Sequence, residues 1–186
     1  MDKKIVEIVE KEHTKEDVKY HIRFVVNSAL KLAEIYKADK EIVELACWLH
    51  DIARAKGLEA GQDNNHHIEG AKKTEDILKK LKYPKEKIDK VINCILAHRG
   101  SKEDYTPKTI EEKIVANADA MAHFDSFLNL FLEFVNPNNF EEGVELIKAK
   151  LERDWNKKLT LPEARELVKY KYDAIKLLLN ELNQKT

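Results

Sequence analysis

The pair His50-Asp51 directly follows the apolar segment LACWL, residues 45–49, where the inward face of a helix should continue. A buried carboxylate is costly unless a charge or a set of hydrogen bonds satisfies it. Other helical segments carry comparable side chains close to their apolar residues, at His21, His98 and Asp119. One such histidine is adequately explained as a hydrogen-bonded core residue. Several of them together with two inward carboxylates point to a bound cation.

Asp51 and Asp119 would repel each other if they packed together without a cation, and one of them would have to take up a proton. A divalent metal removes this conflict, because neutral imidazole and carboxylate are among its usual protein ligands. We therefore predict one or two divalent transition metals as the cofactor. Mn, Fe, Ni, Co and Zn suit such ligands, and Mg suits them less well where nitrogen ligands dominate.

The elements that must position these side chains are helices. Apolar residues recur at helical spacing along almost the whole chain, and only 5 glycines and 4 prolines interrupt it. Capping-box spacing at Thr109 with Glu112 and at Thr160 with Glu163 marks two helix starts. The pattern predicts an all-α bundle of about seven to eight helices. Those that can be delimited lie at about 15–37, 39–55, 66–82, 84–98, 110–134 and 139–156, with a last helix from the Thr160 cap to about 182.

Composition narrows the class of protein. At 186 residues and 43% hydrophobic content, the chain is long enough for one domain over 1–186 with a sizeable core. The formal net charge of −1, without a dominant basic patch, argues against binding of long nucleic acids. No apolar run of membrane-spanning length is present, which predicts no membrane segment. The N-terminal stretch MDKKIVEIVEKEH lacks the apolar region of a secretory signal, which favours a cytoplasmic protein.

The order of the histidines and aspartates along the chain is the most specific feature of the sequence. It runs through the segments YHIRFVVNSALKLA, ELACWLHDIAR, HHIEGAKKTEDIL, VINCILAHRG and TPKTIEEKIVANADAM. In this order and with these local contexts, the chain resembles the HD superfamily of metal-dependent phosphohydrolases. The resemblance covers about residues 17–125 and implies an HD-type helical bundle. We expect the helices at about 139–182 to pack on that core.

The resemblance also implies a role for the polar residue of each segment. One metal would be held by His21, His50, Asp51 and Asp119. In the two-metal form of the family, the equivalents of His66 and His98 hold a second metal and Asp51 bridges both. His66 is preferred because Gly70 lies four residues after it, as in the H-x-x-x-G-A segment of the family, and His67 stays the alternative.

Some positions depart from the family or carry no predicted role. Related hydrolases often have an Arg three residues after the first His and close with Asp-Ala-Asp, where this chain has Phe24 and Asn117. His123 is interpreted as an ordinary, partly buried histidine. His13 lies in a charged segment and is predicted to face solvent.

The implied activity is hydrolysis of a phosphomonoester, a phosphodiester or a nucleotide by a metal-activated hydroxide. Asp51 would act at the centre, and Arg54, Lys56 and Arg99 are candidates to orient the phosphate. The implied partner is a small phosphorylated substrate, first of all a nucleotide, and a homodimer stays open. Two alternatives use the same ligands: a di-iron oxygenase, and a metal-retaining binding or regulatory module without turnover.

Overall fold

The structure, a computed structural model, describes residues 2–54, 65–99, 105–136 and 139–182. The predicted all-α class is confirmed, and no strand occurs in these ranges. The helices are α1 (Lys3–Glu12), α2 (Lys15–Asp17), α3 (Arg23–Tyr36), α4 (Lys40–Leu49), α5 (His66–Lys80), α6 (Lys85–Ala97), α7 (Ile110–Asp125), α8 (Phe127–Phe134), α9 (Phe140–Arg153) and α10 (Pro162–Leu182). Two π-helical turns, Val18–Ile22 and Asp154–Lys158, lead from α2 into α3 and follow α9.

α7 is the central helix of the bundle. It is buried from Ile114 to Phe124, and the buried positions include the polar residues Asn117, Asp119 and His123. The helices α3, α4, α6 and α10 surround it. A helix that is covered on all sides is expected at the centre of a domain, and its polar side chains must then find partners inside the protein.

The helices α4 and α6 each end directly before a histidine that is a candidate metal ligand. Asp39 caps the start of α4, because its side chain accepts hydrogen bonds from the backbone N–H groups of Glu41 and Ile42. The helix ends at Leu49, so the predicted segment 39–55 is shortened, and residues 50–53 form a turn. His50 and His98 are the residues that directly follow α4 and α6.

The predicted helix at 110–134 is divided at Ser126 into α7 and α8. The Ser126 hydroxyl donates to the carbonyl oxygen of Ala122 at 2.7 Å, a contact that bends helices. An additional helix, α1, precedes the predicted ones and begins at the N-cap Asp2. The described ranges therefore contain nine helices of eight residues or more.

The C-terminal helices share the core of the preceding ones. α10 packs on α7, where the Asn117 side chain accepts from Leu161 N at 3.0 Å and donates to Thr160 Oγ1 at 3.1 Å. Asn117 therefore links α7 to the two residues that precede α10. Gly143 lets α9 pass the end of α8, because a Cβ atom there would lie 2.3 Å from the Phe134 carbonyl oxygen. Among the described residues, none of the helices has the length and apolar character needed to cross a bilayer.

Candidate metal centre

Asp51 lies at the centre of a histidine cluster, in the turn after α4, with 6% of the residue exposed. Its Oδ2 atom is 3.6 Å from Nε2 of His21 and 3.4 Å from Nε2 of His50. Its Oδ1 atom is 3.4 Å from Nε2 of His66 and 3.7 Å from Nε2 of His98. One carboxylate therefore presents one oxygen to each of two histidine pairs, which we call the His21/His50 side and the His66/His98 side.

Asp119 joins only the His21/His50 side. Its Oδ1 atom lies 3.4 Å from Nε2 of His21 and 3.8 Å from Nε2 of His50. The central helix α7 places it there, in the middle of the bundle. The His21/His50 side thus gathers four candidate ligands, whereas the His66/His98 side gathers three with Asp51 counted on both.

Local backbone geometry aims several of these side chains. His21 belongs to the π-helical turn Val18–Ile22, and π-helical insertions change the direction of side chains and are frequent at functional sites. His66 is the first residue of α5. His21 and His66 keep 14% of their side chains exposed, while His50 and His98 are almost fully enclosed. Of the six candidate ligands, His21 and His66 are therefore the most exposed to solvent.

The two enclosed histidines keep Nδ1 as a donor to the backbone, which is the orientation that metal binding through Nε2 requires. His50 Nδ1 donates to the Cys47 carbonyl oxygen at 2.8 Å, and His98 Nδ1 donates to the Ile95 carbonyl oxygen at 2.6 Å. The proton on Nδ1 is inferred from the carbonyl partners, because an oxygen of this kind can only accept. Nε2 is therefore the nitrogen that each ring directs at Asp51, and a metal bound there would take the place of the Nε2 proton of His50. Such carbonyl contacts are the usual outer support of metal-binding histidines.

The spacing of the donors also fits a metal. The Nε2 atoms of His21 and His50 are 3.1 Å apart, and those of His66 and His98 are 3.2 Å apart. Two nitrogen ligands at about 2.1 Å from one ion are separated by about 3.0 Å at right angles and about 3.4 Å at tetrahedral angles. The chain therefore has His/Asp groups able to hold a divalent metal on each side of Asp51.

Charge in the cluster is arranged to attract a cation. Burial by itself would raise the pKa of Asp51, but His50 and the other cationic groups around it hold this pKa well below its usual range. Burial opposes the charged form of His50, yet Asp51 and Asp119 raise its pKa to about 9. On the other side, burial and His50 lower the pKa of His98 to about 3, so this ring is neutral. The carboxylates thus draw positive charge into the interior, and a divalent cation is suited to supply it.

Of the predicted phosphate-orienting residues, Arg54 lies at the edge of the cluster. Arg54 Nη1 lies 3.8 Å from Asp51 Oδ2, and its Nη2 lies 3.9 Å from a carboxylate oxygen of Glu133, with 35% of the side chain exposed. Arg99 directly follows His98 and is half-buried. Lys56 lies outside the described residues.

Of the remaining histidines, the pair His66 and His67 is arranged as the sequence analysis preferred, and His13 is not. His66 enters the cluster, whereas the ring of its neighbour His67 packs edge-on against Tyr105 with centroids 5.3 Å apart. The prediction that His13 faces solvent was wrong, because only 7% of it is exposed. It follows α1, which packs against α4 and was not delimited from the sequence.

A buried ionic network behind Asp119 was missed by the sequence analysis. His123 Nδ1 lies 2.9 Å from Asp154 Oδ2, and Lys150 Nζ lies 3.2 Å from the same oxygen. Lys158 Nζ lies 2.5 Å from Asp119 Oδ2. We call these residues, which come from α7, α9 and the second π-helical turn, the C-terminal network: His123, Lys150, Asp154 and Lys158.

The C-terminal network reaches the cluster through His123 as well. Its Nε2 atom is 3.9 Å from Asp119 Oδ1, and its ring stacks on His21 with centroids 5.5 Å apart and 13° between planes. Burial and the neighbouring Lys150 lower the pKa of His123 to about 4, which keeps this ring neutral. A signal for the network exists in the sequence, because Lys150, Asp154 and Lys158 recur at intervals of four, as side chains on one helix face do.

Comparison with known proteins identifies a family and a fold. The family described as HD domain matches residues 18–123, a range that contains all six predicted metal ligands. A Picrophilus torridus protein named tRNA (cytidine(56)-2'-O)-methyltransferase is 31% identical over 136 residues, which is 66% of this chain. The match covers 36% of that protein, so the chain spans about a third of the length of this relative.

Solved structures share the overall arrangement of helices. Bacillus subtilis YpgQ, crystallised in complex with ADP, is similar with a TM-score of 0.72 at 21% identity, over 100% of this chain and 97% of YpgQ. An HD-superfamily hydrolase from Bacillus thuringiensis has a TM-score of 0.69 at 19% identity, over 99% of this chain and 95% of its own. At these identities the likeness establishes the fold.

Proposed function

The chain belongs to the HD domain family, and from that premise we propose that it hydrolyses a phosphate ester or anhydride bond in a small molecule, with a nucleotide as the first candidate. One observation carries the proposal. The carboxylate of Asp51 offers Oδ2 to one histidine pair and Oδ1 to another, at distances of 3.4–3.7 Å. A carboxylate bridging two metals is a recurring arrangement for hydrolysis at phosphorus.

The proposed ligands follow from this geometry. His21, His50, Asp51 and Asp119 would hold one divalent metal, and Asp51, His66 and His98 would hold a second. Metals in such positions lower the pKa of water, which provides a nucleophile near neutral pH, and they neutralise phosphate oxygens. Mn, Fe, Ni, Co and Zn all accept these ligands.

The chain's own side chains have separate tasks in this proposal. The enclosed His50 and His98 are locked by their carbonyl partners, so they hold their Nε2 atoms in place without reorganisation. A phosphate group would approach the cluster past His21 and His66, whose side chains are 14% exposed. Arg54 stands beside Asp51 with its guanidinium partly exposed, where it can bind a phosphate oxygen with two N–H groups.

Two observations make a nucleotide the first candidate among small phosphorylated substrates. YpgQ, which has the same fold, has been crystallised with ADP. The net charge of −1 on this chain offers no broad basic surface for a polynucleotide, so a single nucleotide suits it better.

The experiment that tests the proposal is a substrate panel on metal-stripped protein. The protein is treated with a chelator, reloaded separately with Mn²⁺, Co²⁺, Ni²⁺, Zn²⁺, Fe²⁺ or Mg²⁺, and assayed with nucleoside mono-, di- and triphosphates, cyclic nucleotides and an aryl phosphodiester. We expect metal-dependent phosphate or nucleotide release that the chelator abolishes. Bound iron with oxygen consumption would instead identify a di-iron oxygenase.

A second candidate function is a metal-retaining module without turnover. The 31% identity to part of a protein named as a tRNA methyltransferase favours it, since methyl transfer does not itself require a hydrolytic centre. Stoichiometric metal binding without turnover of any substrate in the panel would support this module and contradict hydrolysis.

A further inference from the structure

We infer that Lys158 acts as a fixed cation on Asp119, which weakens metal binding on the His21/His50 side and strengthens the attraction of the loaded centre for a phosphate anion. Lys158 would then be a positioning and charge-setting residue contributed by the C-terminal part of the chain. This inference rests on the proposed metal-dependent hydrolysis, because it assigns Asp119 as a metal ligand.

The two oxygens of Asp119 face different cations. Oδ1 points to His21 and His50, at 3.4 and 3.8 Å, where the first metal is proposed. Oδ2 is occupied by the ammonium group of Lys158 at 2.5 Å. Only 7% of Lys158 is exposed, so water does not screen this ion pair effectively.

The other charged groups near Lys158 pair with one another, so Asp119 is the carboxylate that pairs with Lys158. Asp154, the second carboxylate close to Lys158, is already in contact with Lys150 Nζ at 3.2 Å and with His123 Nδ1 at 2.9 Å. Its negative charge is therefore compensated by Lys150. Asp119 remains as the carboxylate whose charge Lys158 balances, before any metal is present.

This arrangement changes what a bound metal can do. A carboxylate that is paired with an ammonium group attracts a second cation less strongly, since the two cations repel across a short and poorly screened distance. With the metal in place, the centre carries one more positive charge than its metals and ligands alone would supply. That extra charge favours an anionic substrate, so affinity for metal is exchanged for affinity for phosphate.

The test uses Lys158→Gln, which keeps a hydrogen-bond donor toward Asp119 and removes the charge. Mn²⁺ affinity is measured on chelator-stripped protein from the electron paramagnetic resonance signal of free Mn²⁺. Binding of inorganic phosphate to Mn²⁺-loaded protein is measured by calorimetry. We expect the tightest Mn²⁺ site to bind at least about tenfold more tightly and phosphate to bind at least about tenfold more weakly.

Two further variants separate charge from packing. Lys157→Gln removes the same charge from the neighbouring, exposed position of the same π-helical turn, and both affinities should stay within about twofold of the wild type. Lys158→Arg keeps the charge and should restore both affinities toward the wild type. If the Gln variant folds only when loaded with metal, the phosphate measurement still decides, because it is made on loaded protein.

If Lys158 had a purely structural role, Lys158→Gln would not both strengthen Mn²⁺ binding and weaken phosphate binding. If Lys158→Gln weakens Mn²⁺ binding, or leaves both affinities unchanged, the inference is overturned. Neither measurement needs turnover, so failure of the proposed hydrolysis and failure of this inference are distinguishable. Absence of activity on the whole substrate panel would reject hydrolysis and leave the Lys158 result standing.

Discussion

The two sides of Asp51 are alike in their enclosed histidines, His50 and His98, and differ in the charged residues around them. His50 and His98 each follow the last residue of a helix, and each donates its Nδ1 proton to the carbonyl oxygen three residues earlier. This repeated device presents two Nε2 atoms to the two oxygens of one carboxylate. The same local geometry thus serves both α4 and α6.

The two sides differ in the number of carboxylates and in the charged residues packed behind them. Asp119 and the C-terminal network stand only on the His21/His50 side, whereas the His66/His98 side has no carboxylate besides Asp51 among the residues described there. Even with the charge of Asp119 balanced by Lys158, we expect a site with four protein ligands to hold a divalent metal more tightly than one with three ligands and a shared carboxylate. We expect one tight and one weaker metal site, and the following variants test that comparison.

Asp51→Asn should have the largest effect, because it removes the anion that both sides share. We expect loss of both metals and a fall in activity on the order of 10²-fold or more. Metal content by mass spectrometry and turnover with the best substrate of the panel are the measurements. Asp89→Asn, at an exposed position of α6, is the matched control and should retain both. Full metal content in Asp51→Asn would refute the ligand assignment.

His50→Gln and His98→Gln form a matched pair, since both residues are enclosed and have the same carbonyl contact. His50→Gln should weaken the tight metal site on the His21/His50 side and lower activity on the order of 10²-fold. His98→Gln should abolish only the weaker site on the His66/His98 side and lower activity about tenfold. A Mn²⁺ titration of each variant counts the remaining sites. Equal effects in both titrations would mean that the two sides are equivalent, which contradicts the comparison.

Arg54→Gln should have the smallest effect, because Arg54 is partly exposed and touches the cluster only at its edge. We expect the KM to rise about 3- to 10-fold, equivalent to about 1 kcal/mol, with kcat and metal content almost unchanged. Steady-state kinetics on metal-loaded protein measures this split. Arg153→Gln, at an exposed position of α9, is the control and should leave KM unchanged. A change in kcat alone would argue against phosphate binding by Arg54.

Much of the fold was predictable because helices leave a periodic signal. The all-α class and the HD family are confirmed, and the delimited helices agree with α3 to α10 apart from their ends. The break at Ser126 was not predicted, because apolar residues continue on both sides of it. The hydrogen bond of the Ser126 hydroxyl that bends the helix leaves no periodic pattern in the sequence. Within the site, the spacing of Lys150, Asp154 and Lys158 indicates a shared helix face, but it does not identify the partner of Lys158, which lies 39 residues away.

The sequence alone determined which residue types could bind metal and in what order they come, because side-chain chemistry and helical spacing are properties of the chain itself. It also placed His50 and His98 at the ends of apolar segments, where a polar group needs a partner. Only the tertiary structure decided that Asp51 divides its oxygens between two histidine pairs, that His66 rather than His67 reaches it, and that Lys158 neutralises Asp119. These are distances between separate helices, and packing of the whole core sets them.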